Sequence, residues 1–261
     1  MKFDKLNNMK NTFAICVMTA FVLTGCSTAE KKPAVEVKQE AKLVKSDQLI
    51  PQQAYDETGK KVVFEAAENP YIKDKVRVDK GSVLLFIEAK KAWRKGDQKT
   101  AKQKLSVITK KDAELSGPWV MLGEMAEEKG DLKQAHEHLM KALEINSNNV
   151  NAYTALAKVQ RKQGRFNVAQ NTLVTGLELW SDFPEAHYNL ALLYDIYLNK
   201  PELAQKHLEA FLFLTNGDAQ SLEWFLQLVD RTGKTTSAVD SKLKQSAFIK
   251  IAQDAQNEAR Q

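Results

Sequence analysis

The stretch WVMLGEMAEEKGDLKQAHEHLMKAL, residues 119–143, decides the fold because its spacing recurs along the chain. A step of 34 residues leads from Trp119 to Tyr153 and then to His187. The same step links other positions of matching type: Leu122, Leu156 and Leu190; Gly123, Ala157 and Ala191; Gly130 and Gly164; Ala135 and Ala169; Leu139 and Leu173; Leu143 and Leu177. Several residue types recurring at one period indicate a repeat array rather than a helical bundle with accidental spacing.

Each period predicts a helical hairpin. The first helix places a large residue, a leucine and a small residue on one face, and a turn with a glycine follows, at Gly130 and again at Gly164. The second helix offers a small residue where the two helices cross and leucines for the next repeat. Neither helix buries its apolar stripe alone, so the hairpins are expected to stack.

This pattern resembles the tetratricopeptide repeat, and Trp119-Val-Met-Leu-Gly123 matches its signature. The resemblance implies an all-α solenoid that binds proteins. Four repeats are expected, at about 82–115, 116–149, 150–183 and 184–218. The first departs from the pattern at Leu85 and Glu88, and the fourth carries one extra residue before Pro201, which is expected to begin its second helix. Residues 219–261 are expected to form capping helices, at 219–231 and about 238–258.

The first 25 residues have the features of an export signal. A basic start precedes an apolar run from Thr12 to Leu23, which is shorter than the ~20 residues that a membrane-spanning helix needs. The run ends in Leu23-Thr24-Gly25-Cys26, which resembles the lipobox of bacterial lipoproteins. The resemblance implies a lipid on Cys26. In enteric-type bacteria an aspartate directly after the lipidated cysteine resembles a signal for retention in the inner membrane. Here Ser27 follows the cysteine, which favours the outer membrane, on its periplasmic side. An ordinary signal peptide with a chance cysteine is the alternative.

Residues 26–81 are expected to be the lipidated cysteine and a flexible linker. The segment from 27 to about 61 has mixed charge, few aromatic residues and no period of helix or strand. A turn at Asn69-Pro70-Tyr71-Ile72 offers an apolar group that is expected to dock on the first helix of the array.

No catalytic, cofactor or metal site is expected. The four histidines show no zinc spacing, and His136 and His138 point away from each other on a helix. His187 takes the large-residue position of its repeat, which favours a packed core histidine. Both cysteines lie in the first 26 residues, and no nucleophile elbow or phosphate loop is present. The net charge of +5 is too small and too evenly mixed to suggest nucleic-acid binding.

The tetratricopeptide resemblance also implies that the first helices of the repeats line a concave face that binds a partner. Carried onto this sequence, its outward positions form apolar or aromatic ends around an acidic strip and a basic strip. These residues are Phe86, Lys90, Trp93, Val120, Glu124, Glu127, Glu128, Asn151, Thr154, Lys158, Arg161, Lys162, Tyr188, Leu192 and Asp195. Two alternatives stay open: the acidic and basic strips pair with each other between repeats, and Trp93 packs under the N-terminal segment.

The sequence thus predicts a membrane-anchored adaptor that serves a multi-protein envelope machine, such as a pilus secretin or an energy-transducing complex. Two other readings remain. One is a structural lipoprotein that binds cell-wall glycan through Trp93, Tyr188, Trp180 or Trp224. The other is an envelope enzyme whose repeats recruit substrate. Neither the partner nor the oligomeric state follows from the sequence.

Overall fold

A computed structural model describes residues 41–52, 54–73, 77–215 and 217–234, which all belong to one compact unit. The predicted signal segment, Cys26 and the predicted helix at 238–258 lie outside the described residues. Within the described ranges there is no β-strand, and one isolated antiparallel bridge joins Tyr55 to Lys61. None of the helices described is long and apolar enough to cross a bilayer.

Ten α-helices follow a short 3-10 turn at Asp47–Leu49 in the described ranges. They are α1 (Pro70–Lys73), α2 (Lys80–Arg94), α3 (Gln98–Lys111), α4 (Gly117–Glu128), α5 (Leu132–Ile145), α6 (Val150–Lys162), α7 (Phe166–Leu179), α8 (Pro184–Leu192), α9 (Pro201–Thr215) and α10 (Ala219–Thr232). Helices α2 to α9 pack as four consecutive hairpins, and α10 packs on α9. The all-α solenoid of four hairpins is therefore confirmed.

The turns inside the hairpins repeat the same local chemistry. Gly96, Gly130 and Gly164 all have φ between 74° and 81°, a left-handed conformation that glycine adopts without steric cost. After two of these glycines an aspartate caps the second helix: Asp97 accepts from the Thr100 amide and Asp131 accepts from the Gln134 amide. This local signal stops one helix and starts the next.

The fourth hairpin accommodates its extra residue in a different way. A π-helical turn at Leu193–Tyr197 follows α8, and Asn199 takes the left-handed position with φ 49°. A π-turn holds one residue more than an α-turn, which absorbs the insertion. Pro201 then begins α9, as predicted.

The buried core positions recur in every hairpin, as the sequence repeat predicts. The small residues at the hairpin crossings are fully buried, as are the leucines one turn later; they are Ala101, Ala135, Ala169 and Ala204, with Leu105, Leu139, Leu173 and Leu208. Gly123 shows how close the crossing is, because a Cβ added there would lie 2.6 Å from Cγ of Leu139. Small residues at these positions let the two helices of a hairpin approach each other.

The flexible linker was expected over residues 26–81, but the structure shows contacts with the array from Lys42 to Leu49 and at Phe64 and Ala67. The backbone of Val44 pairs with the side chains of Asn171 and Gln170, and Ser46 is buried. Further along, the amide of Ala67 donates to Asp182. Composition did not predict this binding because most of the contacts join backbone groups to polar side chains of the third repeat, and the apolar contacts of Leu49 and Phe64 are isolated. Such contacts leave no apolar period in the sequence.

The predicted turn at Asn69–Ile72 forms the single helical turn α1, and Tyr71 of that turn lies near the second repeat. The hydroxyl of Tyr71 lies beside Gly117, where a Cβ would meet it at 3.1 Å. Tyr71 therefore contacts the start of α4 in the second repeat.

Candidate partner-binding face

The first helices of the hairpins (α2, α4, α6 and α8) form the candidate face, and we call this surface the first-helix face. Helix α6 contacts both α4 and α8, so the helices lie side by side. Helix α10 follows α9 as the first helix of a fifth repeat would. The predicted partner-binding residues lie on these elements, in three different situations: paired within the array, buried, or open.

A polar bridge joins the first helices at each junction of the array. Each bridge connects residues 35 or 36 positions apart, near the carboxyl ends of the two helices. The four pairs in chain order are Trp93–Glu128, Glu127–Lys162, Arg161–Tyr197 and Asp195–Arg231. Much of the charge predicted to face a partner therefore holds neighbouring repeats together.

Glu127 is the most deeply engaged of these groups. Its side chain is only 4% exposed, and its carboxylate accepts from Lys158 at 2.8 Å and from Lys162. Burial acts to raise the pKa of Glu127, but the hydrogen bonds from Lys158 and Lys162 outweigh it and lower the pKa below its usual value. The prediction of Glu127 as an open residue of an acidic strip is wrong, because this carboxylate is a buried link between α4 and α6.

Arg161 and Glu128 also form hydrogen bonds within the array, although both are more exposed than Glu127. Arg161 donates to the Tyr197 hydroxyl at 2.9 Å and lies over its ring. Glu128 accepts from the indole of Trp93 at 2.7 Å. Trp93 thus bonds forward to the second repeat, and its ring packs against the core of the first.

Val120 is the other predicted partner-binding residue that is buried rather than exposed on the first-helix face. Its side chain is 7% exposed and packs in the core between the second and third hairpins. The position is outward in the generic pattern, but in this chain it belongs to a cluster with apolar residues of α5 and α6. Phe86 is half-buried against the core of the first hairpin.

Helix α10 occupies the far end of the face. Tyr188 packs edge-on against Phe211 and Trp224. Asp195 accepts from the Trp224 indole at 2.8 Å and from Arg231 at 2.6 Å. The aromatic and acidic groups expected to anchor a partner here bind the chain's own capping helix, and Leu192 beside them is half-buried.

The open part of the face lies on α2, α4 and α6. Lys90 and Asn151 are exposed, and Thr154 is half-buried with its hydroxyl bonded to the Asn151 carbonyl. Glu124 lies between Lys90 and Lys158 and is half-buried. Among the described residues its carboxylate has no hydrogen-bond or ion-pair partner. Burial raises the pKa of Glu124, against the attraction of Lys158.

A chain of buried hydrogen bonds lies in the fourth repeat, and the sequence predicted only one of its members. The sequence placed His187 in the core, and its side chain is fully buried. Its Nε2 lies 2.8 Å from the Ser181 carbonyl, and its Nδ1 lies 2.9 Å from Nδ1 of His207. His207 then reaches Ser46 at 2.8 Å, and Ser46 reaches the Tyr194 hydroxyl at 2.7 Å.

Only one arrangement of protons satisfies this chain with both rings neutral. The Ser181 carbonyl only accepts, so Nε2 of His187 carries a proton and its Nδ1 accepts from His207. Ser46 then donates to His207 and accepts from Tyr194. Burial lowers the pKa of His187 to about 4 and lowers that of His207 well below its usual value. The network fixes Ser46 of the N-terminal segment to the array.

Within the described ranges, no group of three or more His, Cys, Asp or Glu residues is arranged to hold a metal ion. The histidine pair has its ring nitrogens committed to hydrogen bonds.

Comparisons with known proteins concern the array. The family described as TPR repeat matches residues 127–164. No curated protein matches the chain. Among solved structures, the MamA protein is 20% identical, with 67% of this chain and 94% of that one covered at a TM-score of 0.52. MamA from Desulfovibrio magneticus RS-1 is 17% identical, with coverages of 69% and 98% and a TM-score of 0.52. The Pseudomonas aeruginosa pilF structure is 19% identical, with coverages of 59% and 70% and a TM-score of 0.54.

These similarities and the four observed hairpins agree on the fold. The described part of the chain is a tetratricopeptide-type helical solenoid with α10 on its last hairpin.

Proposed function

We propose that this chain is a lipid-anchored adaptor of the bacterial envelope that holds a segment of another protein on its first-helix face. The lipobox-like sequence at Cys26 supports a membrane anchor, and the proposed location is the periplasmic face of the outer membrane. The proposed role is to assist the assembly or operation of a multi-protein envelope machine. No catalysis and no cofactor are part of the proposal.

The observation that carries the proposal is the state of Glu124. The other carboxylates near the centre of the face are satisfied by side chains of the array, whereas Glu124 is half-buried without a hydrogen bond from the described residues. A half-buried carboxylate loses hydration, and a hydrogen bond restores what burial removes. Glu124 is therefore placed to accept a bond from a cationic or amide group of a bound segment, and the exposed Asn151 lies on the neighbouring first helix, α6.

The test is co-purification of the full chain from its native host. Wild type and Glu124→Gln would be crosslinked in cells, solubilised and recovered by a C-terminal tag. Glu137→Gln is the matched control, because Glu137 is exposed on the second helix of the same repeat. We expect one envelope protein to be enriched with wild type and Glu137→Gln and to be depleted with Glu124→Gln. Equal recovery by all three would contradict the assignment of this face.

The anchor is tested separately by Cys26→Ser. If Cys26 carries the lipid, the substituted chain leaves the membrane fraction while the array keeps its fold. Retention of the substituted chain in washed membranes would contradict lipid anchoring at this residue.

The cell-wall reading is less well supported by the array. Binding of glycan by stacking needs exposed aromatic faces, but Trp180 stacks on Phe183 and Tyr188 packs edge-on against Trp224. The indoles of Trp93, Trp180 and Trp224 donate to Glu128, Ala67 and Asp195, respectively. We therefore place the protein-binding reading first, and binding of the purified chain to isolated cell-wall polymer would reverse that order.

A further inference from the structure

The first helix of the array, α2, carries a stripe of exposed residues on its outer side. Lys80, Leu84, Ile87, Lys91 and Arg94 follow one another at spacings of four and three, so they share one face of the helix. We call this set the α2 stripe. Leu84 is 61% exposed and Ile87 is 57% exposed, which is unusual for two large aliphatic residues side by side.

The corresponding positions of the later repeats are covered by the preceding hairpin. One period after Leu84 stands Pro118, and further periods lead to Ala152 and Ala186, all of which are buried. One period after Ile87 stands Met121, which is buried against the second helix of the first repeat. The α2 stripe is thus the surface on which a helical neighbour packs at every internal junction, and in the first repeat no helix of the described residues covers it.

The surroundings of the α2 stripe are strongly basic. Residues 79–112, which run from the cap before α2 to the cap after α3, contain ten lysines and arginines against four acidic residues. One of the acidic residues, Glu88, forms an ion pair with Lys104. The apolar centre of the stripe is therefore flanked by cations at both ends, Lys80 on one side and Lys91 and Arg94 on the other.

The charges at the two ends of the α2 stripe determine which kind of helix can bind there. A second copy packed antiparallel on the same stripe would bring Lys80 against Lys91 at both ends, and like charges oppose such pairing. A helix with apolar residues between acidic ends complements the stripe in shape and charge. We propose that the α2 stripe binds an amphipathic helix of a partner protein, with acidic residues flanking its apolar face. The inference deepens the adaptor function and rests on it.

The probe is a fluorescent synthetic helix with leucines along one face and glutamates at both ends of that face. Its binding to the full chain, held in phosphatidylcholine nanodiscs, would be followed by fluorescence anisotropy. We expect saturable binding that weakens with added salt. Leu84→Ser with Ile87→Ser, and separately Lys91→Glu with Arg94→Glu, should each weaken binding about tenfold or more.

Matched controls use an exposed aliphatic residue and an exposed lysine elsewhere. Ile196→Ser and Lys133→Glu should leave the affinity for the probe unchanged, since both residues lie away from α2. Glu124→Gln should also leave it unchanged, which separates failure of this inference from failure of the first-helix face. A probe with lysines in place of the glutamates should not bind.

Three results would overturn the proposal. The first is no binding of the acidic probe, and the second is equal binding by wild type and the α2 variants. The third is loss of probe binding when the discs contain phosphatidylglycerol, because that would assign the α2 stripe to the anionic bilayer. Circular dichroism of each variant, unchanged from wild type, shows that the comparison is between folded proteins.

Discussion

His187 and His207 face each other through their Nδ1 atoms at 2.9 Å inside the fourth repeat. The contact forms only if one ring donates and the other accepts. Both rings satisfy this condition when they are neutral, and a proton on His187 would place two donors against each other. The fourth repeat and the N-terminal segment bound to it are therefore built for neutral histidines.

The first prediction is acid sensitivity of folding. The unfolded histidines take up protons below pH ~6.5, whereas His187 stays neutral until about pH 4. Stability is thus full above pH ~6.5 and falls as the pH drops, by about 1.4 kcal/mol per pH unit for each histidine. Urea unfolding between pH 7.5 and 4.5 measures this slope. His187→Gln with His207→Gln should flatten it, and a slope unchanged from wild type would contradict the account.

The second prediction concerns Ser46, which links the N-terminal segment to the network. Ser46→Ala leaves Nε2 of His207 without a donor and removes one hydrogen bond of the Tyr194 hydroxyl, so we expect a loss of about 1–3 kcal/mol in unfolding free energy. Hydrogen exchange at the Val44 amide should accelerate as well, because the segment is released. Ser147→Ala, at an exposed position between repeats, is the control. Unaltered exchange at Val44 would show that Ser46 does not hold the segment.

The third prediction uses the difference in exposure between Glu127 and the two lysines that bind it. Lys158 and Lys162 are 48% and 43% exposed, whereas Glu127 is 4% exposed. Glu127→Gln leaves two lysines that water can solvate, at a cost of about 1 kcal/mol. Lys158→Met with Lys162→Met leaves a buried carboxylate unpaired and should cost about 2–3 kcal/mol, discounted for the exposed lysines. Chemical denaturation of both variants checks the order, and the reverse order would contradict the buried-link assignment.

The fourth prediction compares two helical glycines. Gly123→Ala would place a Cβ 2.6 Å from Cγ of Leu139, which is fully buried and cannot move aside. We expect a loss of about 1–3 kcal/mol, although alanine favours a helix. At Gly176 the nearest contact of an added Cβ is Tyr153 at 3.3 Å, so Gly176→Ala should cost less. Thermal melts of the two variants decide, and equal melting temperatures would argue against a close crossing of α4 and α5.

The array was predictable because each turn and each helix crossing needs one particular type of residue, and these residues recur at a fixed spacing. Gly130 and Gly164 mark the turns, and Ala135 and Ala169 mark the crossings. The insertion before Pro201 was also visible, although its accommodation in a π-turn was not.

The candidate face was less predictable, because helix register tells which side chains face a neighbour but not which of them bond to it. Glu127 and Glu128 are adjacent in sequence, yet one is buried against α6 and the other bonds back to Trp93. The signal that could have identified these bridges is the recurrence of a polar pair 35 or 36 residues apart. The binding of residues 42–67 to the array left no such signal, since Ser46 reaches a histidine 161 positions away.

The central claim, that the first-helix face holds a segment of another protein, is tested most directly by a photoreactive residue at Asn151. The full chain would carry p-benzoylphenylalanine there, or at Glu137 as a control, and would be irradiated in its native host. The account predicts one discrete protein adduct from position 151, lost when Glu124→Gln is added and absent from position 137. No adduct at 151, or the same adducts from both positions, would contradict it.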